Sequence, residues 1–519
     1  MNTPSVYLKP LSGINLIDAL TNGTYWVLDS NRTLTWAVSD FGPYQWQNLA
    51  SNQANFANAY ASFSAFINVN FTYVGYYSKP NSAPANLVIS VDGSNTFFNN
   101  SNAWAEGFFP NNVLVQQMLP TSVVGYYPNA PGDIWINLNS ELNHQPSYAV
   151  GTIGFTAFIH EIGHTLGLKH PHDDGGTGHP IFANVGASLL DVDWFTIMSY
   201  NDSYPLSAIQ WHPATPMIGD VIALQSIYGP NLSVHTGNDT YSIGNNNMFQ
   251  TIFDPLGTNT LDLRQSHHSW NLNLAVSAPN AIHPFQIGLA TPNDENLSVP
   301  SSLYWLYGNF QVVHCSNQND YITCSPIGET VFLGAGADTI VGNSGLNKVI
   351  DSGIRSQYTI VKIGSSYFLN DNTGTHGTDT LTNIQRFQFS DISIAFDING
   401  NAGTAAKILG AVFGAASVQN KEYVGIGLSY LDNGMSYANL MQLALNAAGA
   451  TTNTAVVNLL FSNLFGTVPT SSQAAPFVAM LDSGAYSAGT FGVVAADYNA
   501  NNTNHIDLVG LQQTGIQYV

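Results

Sequence analysis

Residues 158–176 read FIHEIGHTLGLKHPHDDGG, which places four of the chain's fourteen histidines close together, at His160, His164, His170 and His172. His160 and His164 are four residues apart, so on a helix both imidazoles lie on one face, one turn apart, within reach of one metal ion. Glu161 follows His160 directly and therefore projects to the edge of that site rather than into the coordination sphere. Gly167 can adopt a positive φ, end the helix and turn the chain back. That return brings His170 towards the first two as a third ligand. Three neutral imidazoles with an open position make a catalytic zinc site, since a structural one would be closed by four protein ligands. His172 lies past Pro171, outside the spacing the metal needs, and reads with Asp173 and Asp174 as loop at the cleft margin.

Outward from this stretch, residues 1–234 mix helical and strand patterns, an α+β texture. Apolar spacing predicts helices over 47–69, 151–168 and 217–229, and β-branched alternation predicts strands over 85–93 and 131–140. Downstream of the histidines, DWFTIMSYNDS (193–203) sets Met198 after a short apolar run and Tyr200 two residues later.

HEIGHTLGLKHP and IMSY, with GDIWIN (132–137) and PMIGDVIALQSIYG (216–229), resemble the serralysin family of secreted bacterial zinc metalloproteases, a branch of the metzincins. Pro171 after the third histidine favours serralysins over astacins, where Glu would be expected, and matrixins, where Ser is frequent. The likeness covers residues ~14 to 230. It implies zinc on His160, His164 and His170, with Glu161 as general base on a water and then proton carrier to the departing amine. It implies that Met198 forms a Met-turn beneath the metal. Tyr200 would be a zinc ligand at rest that swings away and helps hold the oxyanion. Protein or peptide substrates would lie extended along an edge strand beside the helix, for which TSVVGYYPN (121–129) is the best placed segment.

After Tyr228 the texture changes. Residues 235–398 read as all-β, with short strand-like runs between Asn, Gly and Asp turns. Within them, LGAGADTIV (333–341) matches the calcium-binding nonapeptide at Gly334, Gly336, Asp338 and Ile340 but lacks its first Gly. It predicts a β-roll with calcium on Asp338; a β-sandwich with a Gly-rich turn is the competing architecture. Residues 399–519 read as a small all-α domain, with helical segments such as NAGTAAKILGAVFGAA and NTAVVNLLFSNLFG. They loosely resemble a helical domain attached to bacterial surface and secreted proteins, which implies a cell-surface or matrix partner. A surface-attached or adhesive protein with a protease-like head is thus the alternative to a secreted endopeptidase.

Composition narrows the partners. Only 8% of residues are charged, against a usual share of about 25%, and 11 Lys+Arg face 32 Asp+Glu for a net charge of -21. That argues against nucleic acid and anionic membrane as partners, whose binding draws on a cationic surface. No apolar run approaches the ~20 residues of a membrane span. The N-terminus lacks the basic and apolar regions of a signal peptide, so export by another route, such as type I secretion, is expected. Cys315 and Cys324 are spaced for a disulfide across a loop or for two buried thiols.

Overall fold

The computed structural model describes the chain apart from residues 1–5, 9–10, 94–96, 99–101, 112–129, 141–147, 202–210, 277–284, 296–299, 499–500 and 502–505. The chain divides into two compact units, residues 1–312 with 320–322, and residues 313–319 with 323–519.

In the first unit, strands β1 (Thr33–Ser39), β2 (Asn70–Tyr77), β3 (Leu87–Asp92), β4 (Ala105–Gly107) and β5 (Ile134–Asn137) form a sheet in the order β2-β1-β3-β5-β4. The pairs β1–β2, β1–β3 and β3–β5 are parallel, whereas β4 runs antiparallel to β5 at the edge. β3 is apolar along most of its length and fully buried, as expected of a central strand. Helix α1 (Asn15–Asp18) is a single turn near the N-terminus. Helix α2 (Leu49–Ser64) buries Phe56, Ala59, Tyr60 and Phe63, spaced i, i+3, i+4 and i+7 so that one stripe faces the core.

Helix α3 (Ile153–Thr165) carries the first two histidines and is apolar on both flanks. The Thr152 hydroxyl accepts a hydrogen bond from the Phe155 amide and caps it. Helix α4 (Ile218–Tyr228) follows and ends before Gly229, which has φ +78°. Both helices meet α2 and the sheet in one core that includes Phe56, Phe158, Ile159, Ile162, Met198 and Val221. Strands β6 (Met248–Asp262) and β7 (Ile287–Pro292) bring Phe253 and Ile287 into that same core. The compact division therefore falls inside the β-rich stretch rather than at the expected limits 234 and 398.

The second unit opens with β8 (Thr330–Phe332), β9 (Thr339–Val341) and β10 (Lys348–Ile350), then β11 (Tyr358–Ile363), β12 (Ser366–Asp371), β13 (Thr378–Thr382), β14 (Arg386–Gln388) and β15 (Ser393–Ala395). β8, β10 and β14 form one parallel ladder, and β9 and β13 another. Thr330 pairs with Lys348 and Val331 with Val349, so successive rungs are two nonapeptides apart. Val331, Ile340, Val349, Leu381 and Phe387 turn inwards and are buried. A parallel coil of this kind is what stacked nonapeptides build; a β-sandwich is antiparallel. The antiparallel hairpin β11–β12 interrupts it, and the rungs on either side of the plain copy carry Glu329 and Asn347 where the repeat has its Asp. In that copy Gly336 has φ +108°, and a Cβ on Gly334 would fall 1.7 Å from the Ser316 carbonyl oxygen.

The disulfide considered for Cys315 and Cys324 is not formed; both are buried thiols. The Cys315 amide donates to the Phe332 carbonyl in β8, and the Cys324 amide to the Val341 carbonyl in β9. The two cysteines thus attach to different ladders of the coil.

Seven helices complete the unit among the described residues: α5 (Asn401–Phe413), α6 (Lys421–Asp432), α7 (Tyr437–Ala447), α8 (Asn453–Phe465), α9 (Ser471–Asp482), α10 (Ala488–Ala496) and α11 (Leu508–Thr514). Asn420, Ser436, Thr452, Thr470 and Ser487 cap five of them through side-chain oxygens. Strand β16 (Ile516–Tyr518) then pairs with β15. No helix among the described residues is long and apolar enough to cross a membrane.

Candidate active site

The sequence places His160 and His164 on α3 and the structure stacks them on one side of it. Gly167 has φ +101°, and a Cβ there would lie 2.3 Å from the Thr24 carbonyl oxygen, so only glycine makes the turn. Beyond it the chain returns and His170 meets the other two. His170 Nε2 lies 3.2 Å from His160 Nε2 and 3.1 Å from His164 Nε2.

Each of the three rings is held from behind through Nδ1. His160 Nδ1 is 2.6 Å from the Ile197 carbonyl oxygen, His164 Nδ1 is 2.9 Å from that of Leu168, and His170 Nδ1 is 2.5 Å from Asp173 Oδ2. With Nδ1 donating in each case, three Nε2 lone pairs converge on one point. Ligands about 2.0–2.1 Å from a zinc ion in tetrahedral geometry stand a little over 3 Å from one another, which is the spacing here. Burial, with His170 close by, pushes the His160 imidazole down to about 3, and burial, with His160 and His170 beside it, also lowers His164. Both are therefore neutral at neutral pH, the state a metal ligand requires. The donor set fits zinc.

Glu161 lines the same cavity as His160, and its Oε2 accepts a 2.6 Å hydrogen bond from the Gly107 amide in β4. Burial, then the nearby Glu106, push its carboxyl up to about 8, against the opposing pull of that amide. Tyr200 stacks on His160 with ring centroids 5.5 Å apart and lies 4.4 Å from the His170 ring. Met198 is fully buried beneath α3. His160, Glu161 and Tyr200 border a cavity of about 310 Å³ whose walls include Trp104, Thr156, Ala157 and Ile197. The expected substrate strand 121–129 lies outside the described residues; among those described, the strand beside α3 at the sheet edge is β4.

Several residues that support the site were not singled out from the sequence. A Cβ on Gly163 would fall 2.6 Å from Met198 Sδ, so the glycine between the two helical histidines makes room for the methionine. Asp220 accepts from the Thr196 hydroxyl (2.6 Å), the Ile197 amide (2.8 Å) and the Met217 amide (2.9 Å). It thereby holds the segment whose Ile197 carbonyl orients His160. Burial pushes its carboxyl up to about 7 despite those bonds. Lys169 is fully buried and its Nζ donates to the carbonyl oxygens of Ala19 (2.7 Å), Asp173 (2.7 Å) and His170 (3.1 Å). A lone lysine in the apolar run LGLKH was the signal for it. Asp173 was read as cleft margin and instead backs His170. His172 stacks on the His170 ring at 5.1 Å and lies 4.9 Å from Tyr200, closer to the centre than its spacing implied.

In sequence the chain is similar to the serralysins, the class of metalloprotease its motif already resembled. It is 38% identical over 128 residues to serralysin G of Dickeya chrysanthemi, covering 24% of this chain and 26% of that one. Longer matches are to serralysin B of the same organism, 27% identical over 279 residues (51% of this chain, 53% of the other), and to metallopeptidase AprA of Pseudomonas marginalis, 25% identical over 320 residues (58% and 56%). The chain thus spans between about a quarter and just over half the length of these relatives. No protein-family model matches it.

Proposed function

We propose that the chain is a zinc-dependent endopeptidase of the metzincin type, exported to act on proteins or peptides, with its chemistry in residues 1–234. The observation that carries this is the approach of His160 and His164 Nε2 to His170 Nε2, at 3.2 and 3.1 Å, with the buried carboxyl group of Glu161 on the residue after His160. Zinc held by His160, His164 and His170 would supply Lewis acidity to a water and to the scissile carbonyl. Glu161 takes the proton of the attacking water, its orientation fixed by the Gly107 amide, and passes it to the departing amine. The Tyr200 hydroxyl, beside the imidazoles, is placed to donate to the oxyanion. Met198 is the floor of the site. The substrate backbone lies along β4, adding a strand.

The β-rich residues 235–398 would take calcium with Asp338 among its ligands, and the helical residues 399–519 would serve a cell-surface or matrix partner. The buried cluster of Asp338, Asp351, Asp371 and Asp379 supports the calcium reading. Burial and then the neighbouring aspartates push Asp379 up to about 8, and a cation would relieve that.

The test is Glu161→Ala assayed on an unstructured protein substrate. Activity should fall by about 10²–10⁴, the usual contribution of a general base, while zinc stays near one ion per chain by metal analysis. Full activity in that variant would sink the mechanism, and a parent without zinc would sink the site.

A further inference from the structure

Strand β4 is the sheet edge among the described residues and packs directly on α3; a Cβ on Gly107 would fall 2.4 Å from the Glu161 carbonyl oxygen. Ala105 and Gly107 are paired with Ile136 and Ile134, which belong to the core beneath the sheet. Glu106 is paired with Trp135, which belongs to the separate cluster on the other face. Strand alternation therefore sets Glu106 on the upper face of the edge, opposite its two neighbours.

Glu106 is half-buried, and no group among the described residues forms a hydrogen bond or ion pair with its carboxylate. Burial pushes it up to about 7. A carboxylate partly shielded from water without a partner carries a cost, and a cation is the ligand that offsets it. The charged neighbour it has is another acid: Glu106 acts on Glu161, and the cavity that Glu161 lines also holds Asp193 but no Lys or Arg among the described residues. A peptide added along β4 alternates its side chains between the two faces. The one directly across from Glu106 would have its Cβ about 4.5–5.5 Å from that of Glu106, the distance at which opposite charges pair across strands.

We propose that Glu106 is a specificity determinant that receives a Lys or Arg side chain of the substrate at the strand position across from it, so that cationic polypeptides are preferred. This rests on the zinc endopeptidase reading above. Because the peptide main chain is bound by β4 whatever its side chains, charge at this one position separates good substrates from poor ones. The chain's net charge of -21 adds long-range attraction for the same substrates.

The experiment uses the zinc-loaded full chain and three peptides identical except for Lys, Gln or Glu at one position, scanned across the residues preceding the scissile bond. At one position kcat/KM should rank Lys above Gln above Glu, with roughly tenfold between Lys and Gln, the size of one charge-assisted pair. Glu106→Gln should collapse the Lys-to-Gln ratio towards one and Glu106→Lys should invert the Lys-to-Glu ratio. The readout is a ratio within one enzyme, so a general loss of activity cancels. Should either variant fail to fold, the parent itself decides: the Lys preference should shrink steeply between low and high salt. No Lys preference at any position, or a ratio unchanged in Glu106→Gln, overturns the proposal. Cleavage of none of the peptides by the parent, with an unstructured protein also left intact, would instead overturn the endopeptidase reading beneath it.

Discussion

Two glycines do work at single-residue scale that side chains cannot. Gly107 lets β4 lie against the turn of α3 that bears Glu161, and Gly163 makes space for Met198. Gly107→Ala should therefore displace Glu161, lowering kcat at least about tenfold and stability by about 1–3 kcal/mol, the usual cost of overpacking; steady-state kinetics and denaturant melts check both. Glu161 also has a pH signature in the metal-free protein. Its carboxyl moves from 4.5 in an ordinary setting to about 8 in the fold. Between those values the folded state keeps a proton that the unfolded chain has released, so stability falls as pH rises. Below pH 6.5 the depressed His160 and His164 act in the opposite direction, since there the unfolded chain binds the extra protons. From pH 6.5 to 8 the protons these histidines still bind in the unfolded chain are the same in parent and Glu161→Gln, so their contribution cancels between the two. Over that window metal-free Glu161→Gln should gain about 2 kcal/mol relative to the parent, at about 1.36 kcal/mol per unit. Equal slopes in parent and variant would show that Glu161 is not protonated there. The meeting of the three histidines was legible because their spacing is local: four residues fix a helical face, and a glycine fixes the return. Glu106 was not, since its role depends on which face of an edge strand it occupies.

Among elements, the segment bearing Met198 is held by α4 through Asp220. Asp220→Asn puts an amide donor among three donors, so it should lower stability by about 2–4 kcal/mol and weaken zinc binding together. Loss of stability with unchanged zinc affinity would separate Asp220 from the orientation of His160. The strongly periodic helices α2, α3 and α4 were readable in sequence to within a few residues, since burial of one stripe or of all sides leaves a clear pattern. Helices α6 and α10 were not among the segments singled out. α6 contains Gly425 and Gly427, and α10 contains Gly489 and Gly492, which lower helix propensity. Packing overrides that: a Cβ on Gly492 would fall 2.5 Å from Met441 Cγ, and one on Gly489 2.5 Å from the Ala438 carbonyl oxygen. These glycines are what allow α10 to approach α7 closely, a tertiary fact that local reading cannot supply.

At the scale of the whole chain, the repeat LGAGADTIV pointed to a parallel coil with a β-sandwich as competitor, and the coil's length was hidden because the neighbouring rungs carry Glu329 and Asn347 at the repeat's Asp position and a hairpin intervenes. Millimolar calcium should raise the melting temperature, and Asp338→Ala should reduce that rise; a melting temperature indifferent to calcium would remove the ion from the account. The division between compact units was also hidden, because β6 and β7 join the core of the head through contacts distant in sequence. The reach of the first unit is plainest at Lys169. Its ammonium binds the Ala19 carbonyl, the Lys169 amide donates to Leu20, and the Asn22 amide donates to Gly167. The corner that presents His170 is thus clasped by chain from about 150 residues earlier. A ligand set completed across such a span cannot exist in a half-folded head. Metal capture should accordingly be an all-or-none event late in maturation, and the release of zinc to a colour-forming chelator would serve as a clock for the opening of the entire first unit.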